Sequence, residues 1–414
     1  MLAEHLCLNK CKSELPDILE PMQLGVGAKA GVEKAKHRMQ HVIDSGSRAR
    51  QTVVVLIDIT NAYGTISRKA MLDALYTHPK LAPLWQIAFW SMSAPAVRYL
   101  RMDDGSVRFL WQEEGGAQGS VIMPAMFAVA LQPLLNMAQE QSPQTEIAAI
   151  LDDIAVGGDL KDVLRAYDLL NEQIEQRLGA KVNAKKSIMI LGFEGAPTQA
   201  IVDACKQRNI TLNAEGDRYV GAFIGRNKEL QEAFVMKQLE RHRPVFDAIA
   251  QPGMSTQISM ILLRTCILPV MTHLYRTMTV DVTRKGAEEF DRLMLQTLAK
   301  VLNQPNLLDD NARSTKAVHQ LSLPVSSGGM GITPAVIITP SAYVGSIAQC
   351  APELVHFYPG ATQLLAEIRD DEMNVDEAPT ESKSKRKKKK KSTVAPSSSY
   401  RPPKTATASV EALS

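Results

Sequence analysis

Apolar positions along the chain follow two rhythms, one helical and one extended. Residues 31–44, GVEKAKHRMQHVID, space Val32, Ala35, Met39 and Ile43 at helical intervals and predict a helix. The next stretch, QTVVVLIDIT, is apolar without a break from Val53 to Ile57 and mostly β-branched. That composition predicts a buried strand ending at Asp58. Residues 68–100 return to helical spacing, interrupted by Pro79, Pro83 and Pro95. In VRYLRMDDGSVRFLWQ, residues 97–112, two alternating runs flank Asp104-Gly105. The pattern predicts a hairpin closed by that two-residue turn.

A Gly-rich bend, EEGGAQGS, leads into an apolar helix from Pro124 to Ala138. Ala148 to Leu151 and Ile154 to Val156 then flank Asp152-Asp153, predicting a second hairpin with both acids in its bend. Residues 160–178 place Val163, Leu164, Tyr167, Leu170, Ile174 and Leu178 on one side of an amphipathic helix. Short strands are expected in SIMILGF and RYVGAFIG. Beyond residue 228, helices near 229–250, 255–278 and 284–303 suggest a separate helical lobe. Residues 318–366 are mixed and helical, with a Gly-rich kink at Ser327 to Gly331. From about residue 371 an acidic patch gives way to a basic run and then to Ser, Pro and Thr, a composition that predicts disorder. No apolar run is long enough to predict a membrane span, and no partner membrane is expected.

Charge changes this picture only at the end of the chain. The 414 residues carry 47 basic and 44 acidic groups, a net charge of +3. Residues 381–414 hold ten of the basic groups against Glu381 and Glu411, so the rest of the chain is mildly acidic. The run Lys385 to Lys391 would attract phosphate backbones without sequence preference and has the composition of a nuclear localisation signal. A solvated tail has the same composition. Five cysteines rule out a disulfide scaffold and suit a reducing compartment. The pairs Cys7/Cys11 and His37/His41 lie too far apart for the usual zinc finger. Gly25-x-Gly27 follows no strand, so a dinucleotide loop is set aside.

The chemistry rests on carboxylates in apolar surroundings. Asp58 ends a central strand, and Asp152 and Asp153 share a tight bend. Adjacent acids repel, and a divalent cation would offset them. Three such carboxylates suit two metal ions clamping an in-line phosphoryl displacement. Asp is also common in ordinary turns, so the pair alone is equally a surface feature.

The order of motifs resembles the reverse transcriptase palm of non-LTR (LINE-like) retrotransposons. Asp58-Ile59-Thr60-Asn61-Ala62-Tyr63 is similar to the first palm motif, and Glu114 to Ser120, with Pro124 and Phe127, to the Gln-Gly motif. Ile150-Leu151-Asp152-Asp153 stands where the family has Tyr-x-Asp-Asp. Gly179 to Ser187 resembles the fourth motif, and Tyr219-Val220-Gly221 the primer grip. Pro21-x-Gln23-Leu24-Gly25-Val26-Gly27 fits the segment before the palm, and Leu323-Pro324 with Gly328 to Gly331 a segment beyond the thumb.

The resemblance implies an α+β fold: a right-hand polymerase palm with an antiparallel sheet and packed helices, then an α-helical thumb and a disordered basic tail. The implied domains are residual fingers over 1–50, palm over 51–228, thumb over 229–303, a helical extension over 304–370 and an acidic-then-basic tail over 371–414. It implies RNA-directed DNA polymerase activity with two Mg²⁺ ions, Mn²⁺ substituting, an RNA template, a DNA primer and deoxynucleoside triphosphates. Asp58 and Asp152 would be the main metal ligands, with Asp153 supporting, and Lys186 would neutralise or protonate the leaving pyrophosphate. Tyr63 would exclude a 2′-hydroxyl, while Gly116, Gln118 and Gly119 would lie along the nascent base pair. Two departures stand out: Ile150 replaces the family's Tyr, and little chain precedes Gln23, so most of the fingers are expected to be missing. The competing expectation is therefore a catalytically inactive remnant that binds nucleic acid.

Overall fold

The computed structural model describes residues 2–354 except Gln118 and Asp310, and all of these lie within one compact unit, Met1–Leu365. The expected basic tail lies outside the described residues, as does the last part of the 304–370 extension.

Among the described residues, eleven strands occur in chain order. They are β1 (Thr52–Ile57), β2 (Ile59–Thr60), β3 (Ala96–Arg101), β4 (Val107–Gln112), β5 (Glu146–Ile150), β6 (Asp153–Asp159), β7 (Lys181–Val182), β8 (Ile188–Leu191), β9 (Thr211–Leu212), β10 (Gly216–Tyr219) and β11 (Ala222–Gly225). The main sheet has the order β5-β6-β1-β8-β9. It is antiparallel through β8, as expected, while the edge pair β8–β9 is parallel. The helix Gln199–Arg208 between those two strands makes that direction possible, since a parallel pair needs a crossover.

The sheet is covered on both faces, which is why β1 is an unbroken apolar run rather than an alternating one. Val53, Val55 and Ile57 point to a core shared with Phe127 and Leu131 of the helix Met123–Gln141 and with Leu170 and Ile174 of the helix Leu160–Leu178. Val54, Ala148, Ala155 and Ile190 point the other way, onto Ala35, Met39 and Ile43 of the helix Gly31–Asp44 and onto Tyr219 and Ile224. Arg38 of that helix is buried, pairs with Glu146 and donates to the carbonyls of Pro21 (2.5 Å) and Ile147 (3.0 Å). Each acceptor removes a desolvation cost the guanidinium would otherwise carry.

Both expected hairpins form, with their turns one residue away from expectation. In β3–β4 the loop is Asp103-Asp104-Gly105: Gly105 donates to the Met102 carbonyl, and Met102 to that of Ser106. Gly105 takes φ +81°, which glycine adopts without a Cβ penalty. In β5–β6, Ile150 pairs with Asp153, so the turn is Leu151-Asp152 and Asp153 is the first residue of β6.

A second apolar core spans Ala222 to Ala335 and includes Phe246 and Phe290, edge to face at 5.7 Å. Leu321, Ile332 and Ala335 belong to it, so the start of the expected extension packs with residues 229–303 as one body. The stretch Thr256–Thr277 is not one unbroken apolar run, yet it is 22 residues long and holds an 18-residue window of mean hydropathy 1.5, enough by length and composition to cross a membrane. Its Leu263, Ile267, Met271 and Leu274 are buried in the second core, while Ile258 and Ile261 on the same stretch are exposed.

Candidate active site

Asp58 follows β1 directly, and β1 meets β6 in register at Ile57–Ile154. Continuing that register sets Asp58 beside Asp153, because neighbouring strands lie about 4.8 Å apart. Both carboxylates face the side of the sheet that carries Leu56, Tyr219 and Val220. There Asp58, Asp153, Lys186, Arg218 and Val220 help line a cavity of about 140 Å³. Asp152 sits in the turn itself, half-buried.

The backbone of Asp58 is gripped from both sides by one loop. Its amide donates to Ser187 Oγ at 3.2 Å, and its carbonyl accepts from the Asn183 amide at 2.7 Å. The same loop is closed by the Lys186 and Ser187 amides, both donating to the Asn183 carbonyl. The Asn and Lys of the fourth motif are thereby tied structurally to the first motif. Lys186 itself is exposed at the cavity rim.

The electrostatics are those of crowded acids. Burial and then the charge of Asp58 raise the Asp152 carboxyl above its ordinary value. Asp153 keeps an open face to solvent, yet loss of hydration raises it first, then Asp152 and Asp58, with Arg218 opposing. Repulsion of this kind is what a bound cation relieves. Oxygen donors of this charge suit a hard divalent ion, with Asp58 and Asp153 in one cavity and Asp152 adjacent. Among the described residues, no three His, Cys, Asp or Glu side chains already converge as a metal-ligating group.

Tyr63 packs against the first core, on the sheet face away from the cavity. Burial, then Asp152 and Asp153, push its phenol up to about 12. Its ring packs on Phe127 at 5.2 Å. Its carbonyl accepts from the Gly116 amide at 2.8 Å, and the Ile66 carbonyl from the Gly115 amide at 2.8 Å. Gly115 is needed for this docking, and at Gly116 a side chain would have to displace that of Met123. Gly115 has φ +67°, and a Cβ there would lie 2.4 Å from the Tyr63 carbonyl oxygen, while one at Gly116 would lie 2.1 Å from Met123 Sδ. The close approach expected of these glycines is thus made first to the protein itself. Gly119 is exposed, with open space where a side chain would project. Gln118 lies outside the described residues.

Two cations escaped sequence reasoning. Arg68 is 7% exposed and donates to three carbonyls, of Gly115 (2.8 Å), Ala94 (2.5 Å) and Gln112 (3.1 Å). It joins the Gly115-Gly116 loop to the base of β3–β4. Glu114 completes the joint by accepting from the Arg68 amide. Arg218 sits on β10 opposite Phe223, one residue before a turn in which Val220 (φ +44°) and Gly221 (φ +87°) are both left-handed. The Tyr219 hydroxyl donates to the Ala148 carbonyl at 3.2 Å, fastening this hairpin to β5. The signal for Arg218 was its place in RYVGAFIG, beside the Tyr-Val-Gly already singled out.

Residues 7–224 match the family model described as reverse transcriptase (RNA-dependent DNA polymerase). Over 362 residues the chain is 25% identical to the retrotransposable element SLACS 132 kDa protein of Trypanosoma brucei gambiense, covering 85% of this chain and 27% of that protein. The chain therefore spans about a quarter of that relative's length. Among solved structures, apo telomerase from Candida tropicalis is similar with a TM-score of 0.43 at 11% identity, over 91% of this chain and 59% of that one. Telomerase from Candida albicans in complex with a fragment of telomeric RNA gives 0.40 at 9% identity, over 77% and 56%.

Proposed function

The chain belongs to the reverse transcriptase (RNA-dependent DNA polymerase) family, and we propose that it is an RNA-directed DNA polymerase of non-LTR retrotransposon origin. The observation that carries this reading is the shared cavity of Asp58, Asp153 and Lys186, with Asp152 in the adjoining turn. The sheet with its two covered faces would be the palm, and the second core the thumb. The substrates would be an RNA template, a DNA primer and deoxynucleoside triphosphates.

Asp58, Asp152 and Asp153 would hold two divalent cations, Mg²⁺ by preference with Mn²⁺ as substitute. When bound, such ions stabilise the attacking and leaving oxygens of phosphoryl transfer. Lys186, at the cavity rim, would give a proton or its charge to the departing pyrophosphate, where negative charge develops. Arg218 would hold a primer phosphate against the same cavity. The Tyr63 ring, fixed by Phe127 and by the Gly116 amide, would fill the space a 2′-hydroxyl needs. The run Lys385 to Lys391 would add salt-dependent nucleic-acid affinity and direct the protein to the nucleus.

The second reading, nucleic-acid binding without catalysis, draws on the absence among the described residues of three ligands that already converge. Primer extension on an RNA template with Mg²⁺ or Mn²⁺, compared with Asp152→Asn, separates the two. Extension by the wild type that Asp152→Asn abolishes supports polymerase activity. Template binding with no extension in either metal refutes it.

A further inference from the structure

The turn that carries Asp152 is unfavourable by its own local chemistry. Leu151 has φ +58°, a left-handed conformation in which the Cβ of an L-residue crowds the backbone carbonyl. No glycine relieves it, so another part of the chain must hold it in place.

Gln23 supplies that hold. Its side chain is fully buried, 128 residues away in sequence. Its Oε1 accepts from the Leu151 amide at 2.8 Å, and its Nε2 donates to the Leu151 carbonyl at 3.1 Å. One carboxamide thus meets both polar groups of one residue, as a neighbouring strand would. The backbone around Gln23 makes the same approach. The Leu24 amide donates to the Ala149 carbonyl at 2.7 Å, and the Ala149 amide to the Met22 carbonyl at 2.8 Å, forming a parallel bridge beside β5. Oε1 also accepts from the Gly25 amide at 3.0 Å. A Cβ at Gly25 would lie 2.7 Å from the Leu151 nitrogen, so the segment reaches the turn only because residue 25 is glycine.

The Leu151 carbonyl belongs to the peptide that leads into Asp152. We propose that Gln23 is a positioning residue for the reaction: by fixing the Leu151–Asp152 peptide, it sets the direction in which Asp152 and Asp153 present their carboxylates. This rests on the polymerase reading above. Gln23 touches neither substrate nor reacting atoms. Its effect passes through the left-handed turn and reaches the acids as orientation, a property that phosphoryl transfer is sensitive to at the ångström scale.

The test uses the full chain with Gln23→Ala, Gln23→Glu and Gly25→Ala, reading Mn²⁺ affinity by electron paramagnetic resonance alongside primer extension. Gln23→Ala removes both hydrogen bonds. Gln23→Glu keeps an oxygen toward the Leu151 amide but sets a second against the carbonyl. Gly25→Ala pushes on the turn from the same segment without touching Gln23. Each is expected to weaken Mn²⁺ binding about tenfold and to lower kcat at least as much, while KM for primer-template stays within twofold. Adding Leu151→Gly to Gln23→Ala should recover much of the loss, since glycine adopts φ +58° unaided. Folded Gln23 variants with unchanged Mn²⁺ affinity and kcat overturn the proposal while leaving the polymerase reading intact. If Gln23 variants fail to fold, an unaffected Gly25→Ala overturns it. A wild-type chain that neither binds Mn²⁺ nor extends primer overturns both.

Discussion

The amide of Asn183 donates to the carbonyl of Asp58 at 2.7 Å. With Ser187 Oγ accepting from the Asp58 amide, the residue after β1 is held by a loop more than a hundred positions later in the chain. Asp58 and the rim carrying Lys186 are therefore parts of one rigid corner. Lys186→Ala should lower kcat by about 10²–10⁴, the range for losing a positioned proton donor. Because Lys186 is exposed, the melting temperature should stay within about 1 °C. Single-turnover extension and thermal melts on the same preparation check both statements.

The crowded acids give the metal-free protein a pH signature. Asp152 and Asp153 have folded-state values raised above 3.8, so the folded chain holds protons that the unfolded chain has already released. Their contribution to stability is fully present below 3.8 and is lost as pH rises through the folded values. Wild type should therefore lose stability relative to Asp152→Asn/Asp153→Asn over that rise and melt about 1–3 °C below it at pH 7. Divalent cation should close the gap for wild type only. Thermal melts from pH 3 to 8, with and without Mn²⁺, test this, and an identical pH profile for the two proteins would count against it.

Tyr63 should act by bulk rather than by its hydroxyl. Tyr63→Ala is expected to reduce the preference for deoxynucleotides over ribonucleotides by at least about tenfold in kcat/KM. Tyr63→Phe should leave that preference unchanged. With its phenol pushed up to about 12, Tyr63 stays protonated, so Tyr63→Phe should also preserve the pH–rate profile up to pH 9. A ribonucleotide gain equal in both variants would point to the hydroxyl instead.

Arg68 should matter twice. Arg68→Met leaves the carbonyls of Gly115, Ala94 and Gln112 without their donor, at a cost of about 2–4 kcal/mol. Since Gly115 and Gly116 dock on Tyr63 and Ile66, the same change should raise KM for the nucleotide several-fold with a smaller effect on kcat. Urea denaturation and steady-state extension measure the two effects. A stable variant with unchanged KM would show that the loop holds without it.

Much of the fold was legible because burial on both faces leaves an unmistakable mark. The run Val53 to Ile57 and the helix faces of 31–44 and 160–178 are dictated by neighbours of uniform character. The motif order anticipated Asp58 beside the hairpin but gave Asp152 the leading place; strand ends meeting in register set Asp153 beside Asp58 and leave Asp152 in the turn. The turn at Leu151-Asp152 was not legible. Local propensity argues against leucine at φ +58°, and the group that overrides it lies 128 residues away. Arg68 was hidden for a related reason: arginine reads as surface, and its three carbonyl partners come from backbone, which has no sequence signature.

The helix Gly31–Asp44, which roofs one face of the sheet, is itself roofed by residues near the end of the described chain. His37 meets Ser346 at 3.1 Å, across 309 positions, and stacks edge-on against Tyr343. Burial first, then Lys36, depresses His37 to about 3, so it is uncharged at neutral pH. During synthesis this helix leaves the ribosome long before residue 346 exists, and loop closure over such a span is a late event. Until then His37 lacks the burial that depresses it. The sheet's cover is thus made some three hundred residues before the segment that locks it, which makes the nascent chain dependent on a distant later segment for a finished roof.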